Sequence, residues 1–192
     1  MKKDFFSNKR RLAFGAVVGT SVLAFTTSVA NAATSIPVES FSGNVAVSAN
    51  GIAGGSPSSA CLTAGGDMSA SPIPGCGRPK VDELGSGVLR LTSAFGDQTG
   101  YLLYNSPIPA AAGLDALFYA SQWGGDGADG ISFFFTDGSK QLTAPGGNGG
   151  SLGYAVKYQG SSDEQQGVAH ALLGVGFDVY GNFPSSDGDG IG

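Results

Sequence analysis

The sequence predicts an all-β domain, either a sandwich or a barrel. Three observations support this class: glycine accounts for 33 of the 192 residues, charged residues make up only 13%, and short β-prone runs alternate with turn clusters. Each glycine inside a helix costs about 1 kcal/mol relative to alanine, so this composition disfavours a helical domain. Recurrent runs of Phe, Tyr, Leu, Ile and Val also disfavour a disordered chain.

Seven segments combine β-prone side chains with flanking turn residues and are predicted to be strands. In the last of them, period-two alternation predicts that Val175, Phe177 and Val179 face the core and that Asp178 lies on the other side. The aromatic run 131–135 is expected to be buried on both faces. The seven predicted strands are residues 38–41, 88–92, 100–104, 116–121, 130–135, 152–158 and 171–179.

The N-terminus has the order of a secretory signal peptide. Residues 1–11 carry five basic residues and one acid, an apolar run follows, and Ala30-Asn31-Ala32 closes it. We therefore predict a helical signal peptide over residues 1–32 and an exported domain over residues 33–192, located outside the cell or on its surface. A transmembrane anchor is the less favoured alternative, because glycine, serine and threonine dilute the apolar run.

The charge balance excludes two classes of partner. Cleavage after Ala32 changes the formal net charge from −5 to −9, which disfavours binding to nucleic acid and to anionic membranes. No second long apolar run follows, so membrane insertion of the mature chain is not expected. The remaining cations are scattered along the sequence: Arg78, Lys80, Arg90, Lys140 and Lys157.

Cys61 and Cys76 are the two cysteines of the chain, and export to an oxidising compartment predicts that they form a disulfide. The loop between them is rich in Gly, Ser and Pro. Closing a loop of this length is worth about 3 kcal/mol in the chain-entropy model. A metal or redox role would need further ligands nearby, and the sequence has none there.

Hard oxygen ligands accumulate near the end of the last predicted strand, at Asp178, Tyr180, Asn182 and Asp187. Such oxygens suit Ca²⁺, but the same spacing fits a solvated acidic turn equally well. Residues 124–132 also match the nonapeptide of calcium-binding β-solenoids. Because that motif occurs once and a solenoid needs several, a glycine-rich turn is the preferred interpretation.

Six segments occur in the order found in the legume-type (L-type) lectins, and the chain resembles the bacterial relatives of that family. They are SFS at 40–42, GVLRLT at 87–92, GYLLY at 100–104 followed by Pro107-Ile108, ADGISFFF at 128–135, GGSLG at 149–153 and VGFDVYGN at 175–182. The resemblance implies a concanavalin A-like jelly-roll sandwich of antiparallel sheets that binds glycans at loops above the concave sheet. The family continues for several strands beyond the position of Gly192, so the domain is expected to be C-terminally incomplete.

The resemblance also assigns roles to individual residues. Asp129 would accept hydrogen bonds from two sugar hydroxyls, and the peptide Ala128–Asp129 would be cis. The backbone N–H of Gly150 and the amide of Asn182 would donate to the same sugar, while the ring of Tyr180 would stack on it. Asp178, Asp187, the carbonyl of Tyr180 and the amide oxygen of Asn182 would bind Ca²⁺.

The family's glutamate two residues before the metal-binding aspartate is Gly176 here. The Mn²⁺ site of the family is therefore expected to be missing, which predicts that Ca²⁺ is bound weakly, if at all. Related glycosidases use paired carboxylates on a strand with the pattern E-x-D-x-x-E. Glycine replaces both glutamates here, at Gly176 and Gly181, so no enzymatic activity is expected. His170 has no Ser or Cys in a nucleophile-like motif. The alternative function is a structural or adhesive surface domain that has lost sugar binding; neither sugar specificity nor oligomeric state is predicted.

Overall fold

The computed structural model describes residues 39–46, 51–111, 113–125, 127–181 and 183. The expected signal peptide, residues 1–32, lies outside this part of the chain. The described residues form three two-stranded antiparallel sheets and one short 3-10 turn, so the prediction of a mainly β domain is confirmed. The elements are β1 Gly51–Ser56, β2 Cys61–Leu62, β3 Leu89–Arg90, β4 Thr99–Tyr104, β5 Gly130–Thr136, the 3-10 turn Gly149–Ser151 and β6 Ala171–Asp178.

The first sheet pairs β1 with β4, with Gly51 opposite Tyr104 and Ser56 opposite Thr99. The glycines of β1 are required by close packing. A Cβ atom at Gly54 would collide with the hydroxyl group and ring of Tyr101, which lies opposite it. The sequence of β1 has a low β-propensity, but its glycine at position 54 leaves the space that the Tyr101 ring of the partner strand fills.

The second sheet pairs β2 with β3, and β2 lies in the most buried region, which we call the disulfide segment (residues 60–76). Cys61 and Cys76 form the predicted disulfide, with their Cα atoms 5.0 Å apart. The N–H of Leu62 donates to the carbonyl of Pro74, and the N–H of Cys76 donates to the carbonyl of Leu62. The buried residues of this segment are Ala60, Cys61, Leu62, Thr63, Ala64, Gly65, Ile73 and Gly75.

The third sheet pairs β5 with β6 in the register Gly130 opposite Asp178 to Thr136 opposite Ala171, with a bulge near Phe135. On one face Phe134 packs against Tyr154, close to a small core of Leu103, Leu142 and Val168. A Cβ atom at Gly174 would lie 2.6 Å from the Tyr154 ring, so glycine leaves the space that this ring fills.

The opposite face of the β5–β6 sheet is apolar and partly open. Phe118 stacks on Phe133 at a centroid distance of 5.0 Å and meets Phe177 edge-on at 6.0 Å. Nevertheless Val175 is 45% exposed, Phe177 is 49% exposed and Val179 is also exposed. The prediction that these three side chains face a closed core is therefore wrong in the part of the chain that the structure describes.

Four predicted strands are confirmed with bounds shifted by at most two residues, namely β3, β4, β5 and β6. Three others are wrong. Residues 116–121 pair with no strand of the described chain, although Phe118 packs on β5. Residues 152–158 begin with a turn at 152–154, where Leu152 has a φ of 50° and Gly153 a φ of 76°, and Lys157 makes only an isolated antiparallel bridge with Gln165. The described part of the first predicted strand, residues 39–41, is not a strand either.

Candidate functional site

The start of β5 and the end of β6 bring Asp129 beside the acidic end of the last strand. Gly130 lies opposite Asp178, and the N–H of Val179 donates to the carbonyl of Asp129 over 2.9 Å. The peptide Ala128–Asp129 is cis, as the family resemblance predicted. Asp129 is half-buried, and its carboxylate accepts no hydrogen bond from the residues that the structure describes.

A glycine-rich loop over residues 145–157 is held against β5 by one serine hydroxyl and braced internally by another. The Oγ of Ser132, in the middle of β5, donates to the carbonyl of Leu152 over 2.6 Å. Ser151 is fully buried and its Oγ donates to the carbonyl of Val156 over 3.1 Å. The Ser132 bond fixes the loop relative to the strand that begins after Asp129, and the Ser151 bond stabilises the turn within the loop.

The turn Gly149–Ser151 lies next to the Asp129 carboxylate. A Cβ atom at Gly149 would lie 3.7 Å from Oδ2 of Asp129, and this glycine has a φ of 64°, which favours a residue without Cβ. The next residue, Gly150, is buried, and its N–H donates to no acceptor within the described ranges. The structure therefore brings Asp129 and the Gly149–Gly150 turn together, as the assigned roles require.

Lys157 also lies in this site. From the sequence it was expected to be only one of several scattered cations. Nζ of Lys157 would be 3.0 Å from a Cβ atom at Gly149, so the ammonium group and the Asp129 carboxylate flank the same point of the turn. Nζ donates to Oδ1 of Asn148 over 2.7 Å. The glycine-rich run 146–150 was the signal that could have revealed it, because such a run permits a long side chain to cross the backbone closely.

Asp178 is half-buried and closes the loop that follows β6. Its Oδ1 accepts the N–H of Tyr180 over 2.8 Å, and its Oδ2 accepts the N–H of Phe183 over 2.6 Å. Tyr180 is 62% exposed, so its ring is available to a ligand. The carboxylate thus shapes the loop through hydrogen bonds to the protein backbone, and it stands on the strand adjacent to Asp129.

The remaining predicted ligands of sugar and metal, Asn182 and Asp187, lie outside the described residues. Among the described residues, no group of three His, Cys, Asp or Glu side chains is placed to hold a metal ion. The same part of the chain contains no helix with the length and apolar character needed to cross a membrane. Comparison of the chain with protein-family models, curated proteins and solved structures gave no match.

Proposed function

We propose that the protein is an exported carbohydrate-binding protein of the concanavalin A-like jelly-roll type, which recognises glycans at the cell surface without transforming them. One observation carries the proposal. The half-buried carboxylate of Asp129, without a hydrogen-bond donor among the described residues, lies beside the Gly149–Gly150 turn and the end of β6.

The chemistry of these groups suits a sugar. A carboxylate accepts hydrogen bonds from two neighbouring hydroxyls more strongly than a neutral acceptor does. The N–H of Gly150 supplies a donor from the backbone, which needs no ordering of a side chain. The exposed ring of Tyr180 offers an apolar surface for the C–H face of a pyranose, worth about 1 kcal/mol. A few convergent polar groups with one aromatic platform are typical of small-ligand sites.

A calcium ion, if bound, would be held by Asp178, the carbonyl of Tyr180, Asn182 and Asp187. The geometry of Asp178 is compatible with such a role. Its two carboxylate oxygens accept the N–H groups of Tyr180 and Phe183, which orients the carboxylate toward the loop that carries Tyr180. Such an ion would order the loop that carries Tyr180. A Mn²⁺ ion beside it is not proposed, because Gly176 offers no side-chain ligand.

The second candidate function is an adhesive or structural domain of the same type that does not bind sugar. The hydrogen bonds of Asp178 favour it, because the backbone N–H groups of Tyr180 and Phe183 already hold this carboxylate against the loop after β6. In that case the loop would keep its shape without a cation. The two functions therefore differ in what chelation does to the protein.

The proposed function is tested by glycan-array binding of the full chain, in Ca²⁺ and in EDTA. Asp129→Asn should reduce the array signal at least tenfold, because the variant replaces the charged acceptor and changes little else. Asp115→Asn, at an exposed carboxylate outside the site, is the matched control and should bind as the wild type does. Equal binding by Asp129→Asn and the wild type would reject the assignment, and no glycan signal from the wild type would favour the adhesive domain.

A further inference from the structure

The side chain of Lys157 lies along the glycine-rich loop instead of extending into solvent. A Cβ atom at Gly147 would lie 2.8 Å from Cβ of Lys157, and one at Gly149 would lie 3.0 Å from its Nζ. The two glycines therefore leave the space that the two ends of this side chain occupy. Lys157 itself is half-buried.

Several contacts hold the lysine in this position. Its backbone exchanges two hydrogen bonds with Gln165, at 2.9 and 3.0 Å, and Oε1 of Gln165 accepts the N–H of Asn148 over 3.1 Å. The ammonium group donates to Oδ1 of Asn148 and lies 4.8 Å from the centre of the Tyr158 ring. The ammonium group is thus oriented before any ligand arrives, which lowers the entropy lost on binding.

A gap separates Lys157 from Asp129. The position of a Cβ atom at Gly149 is 3.0 Å from Nζ and 3.7 Å from Oδ2, so the two charged atoms can be no further apart than the sum of these distances. They nevertheless make no direct ion pair, although both residues are described. An ammonium group has three N–H donors, and Asn148 uses one of them. One oxygen atom hydrogen-bonded to both groups would span a separation of this size.

The two charges select the chemistry of the group that can bind between them. A carboxylate or sulfate would be attracted by Lys157 but repelled by Asp129, and an ammonium group would be repelled by Lys157. A hydroxyl group satisfies both, because it donates one hydrogen bond and accepts another. Each of these bonds has one charged partner, and charge-assisted bonds are about twice as strong as neutral ones.

We propose that Lys157 is a specificity-determining residue that donates to the same ligand hydroxyl that donates to Asp129, which restricts the site to uncharged sugars. This inference rests on the proposed carbohydrate-binding function. It adds a ligand contact and a substrate class: neutral glycans, with uronic acids, sialic acids and amino sugars excluded at this position.

The test compares affinities of full-chain variants for one neutral sugar and its deoxy derivatives. The probe is the methyl glycoside of the neutral monosaccharide with the strongest array signal, titrated by calorimetry beside its monodeoxy derivatives. Lys157→Met should weaken binding of the parent glycoside about tenfold. For one monodeoxy glycoside, the wild type and Lys157→Met should bind equally, because the hydroxyl contacted by Lys157 is missing. Lys140→Met, at an exposed lysine after β5, is the control.

A merely structural lysine would give a different pattern. Replacing such a lysine would lower the affinity for the parent glycoside and for every deoxy glycoside by the same factor. That result would overturn the proposal. Lys157→Gln, which keeps the polarity and removes the charge, guards against loss of folding in Lys157→Met.

The proposal would also be overturned if the protein bound only uronic or sialic acids and Asp129→Asn kept that binding. Unchanged affinity in both lysine variants, with binding lost in Asp129→Asn, would reject the role of Lys157 but keep the proposed function; no glycan binding by the wild type would reject both.

Discussion

The disulfide segment and the β5–β6 sheet bury their side chains to opposite extents. Leu62, between the two cysteines, is fully buried, although its neighbours are mostly Ala, Thr, Gly and Ser. Leu173, in a strand with a strongly apolar sequence, is 54% exposed. Apolar composition therefore does not decide which region forms the tightest packing in this protein.

Close approach of the backbone accounts for the difference. In the disulfide segment a Cβ atom at Gly65 would lie 2.8 Å from Cα of Gly75, so two chain segments touch without side chains between them. Hydrogen bonds between backbone groups then hold Leu62 inside. In the β5–β6 sheet, large aromatic side chains keep the backbone away from its neighbours. On the open face, the described residue that covers the sheet is chiefly Phe118.

The same substitution in the two regions should therefore have very different effects. Leu62→Ala should lower the free energy of unfolding by about 2–5 kcal/mol, since it leaves a cavity at a fully buried position. Leu173→Ala should lower it by about 1 kcal/mol or less, because half of the side chain is already hydrated. Urea denaturation followed by circular dichroism measures both, and losses of similar size would contradict the difference in burial.

Side-chain alternation and turn residues sufficed to predict β4, β5 and β6, because these strands are long and apolar. The same rules missed β1 and β2, whose residues are mainly Gly, Ala and Ser or form a two-residue strand. Their pairing depends on distant partners, Tyr101 opposite Gly54 and Arg90 opposite Cys61, and a local pattern contains no information about them.

The candidate site divides in a similar way. The family resemblance assigned site roles to Asp129, Gly150 and Asp178, and the structure brings these three residues close together. It did not indicate Lys157, because the lysine reaches the site only through the path that the glycine-rich loop takes over β5. Contacts between a flexible side chain and a loop depend on tertiary geometry, so a motif on one strand cannot predict them.

Gly174, on the face of β6 that Tyr154 covers, tests how tightly this side of the β5–β6 sheet is packed. The expected effect is smaller than that of Leu62→Ala. Gly174→Ala places a methyl group 2.6 Å from the Tyr154 ring, so that ring or the strand must shift. We expect a loss of about 1–3 kcal/mol in the free energy of unfolding, which is typical of overpacking. Gly96→Ala, where the added methyl group meets no atom within 4 Å, is the control, and its stability should stay near that of the wild type. If Gly174→Ala were equally neutral in urea denaturation, the covered face would be as loosely packed as the open one.

The smallest expected effect concerns exposed aspartates that occupy equivalent local positions in the two regions. The side-chain and backbone hydrogen bonds from Ser69 lower the pKa of Asp67, in the disulfide segment, below its ordinary value. The backbone hydrogen bond from Ser139, followed by its hydroxyl, lowers the pKa of Asp137, just after β5. Both turns use the same i to i+2 bond, so they should respond to pH alike although the regions differ in burial.

Both shifts favour the charged form in the folded protein. The stabilisation is therefore present at pH values above the ordinary carboxyl pKa of about 3.9 and is lost as the pH falls through the lowered folded-state values. Carboxyl ¹³C NMR titration should show both aspartates ionising below that value. Asp67→Asn and Asp137→Asn should each destabilise slightly at neutral pH, and the difference from the wild type should fade in acid. If Asp137 alone titrated normally, the turn after β5 would be less well formed than that of the disulfide segment, and the contrast between the two regions would extend from side-chain burial to local backbone order.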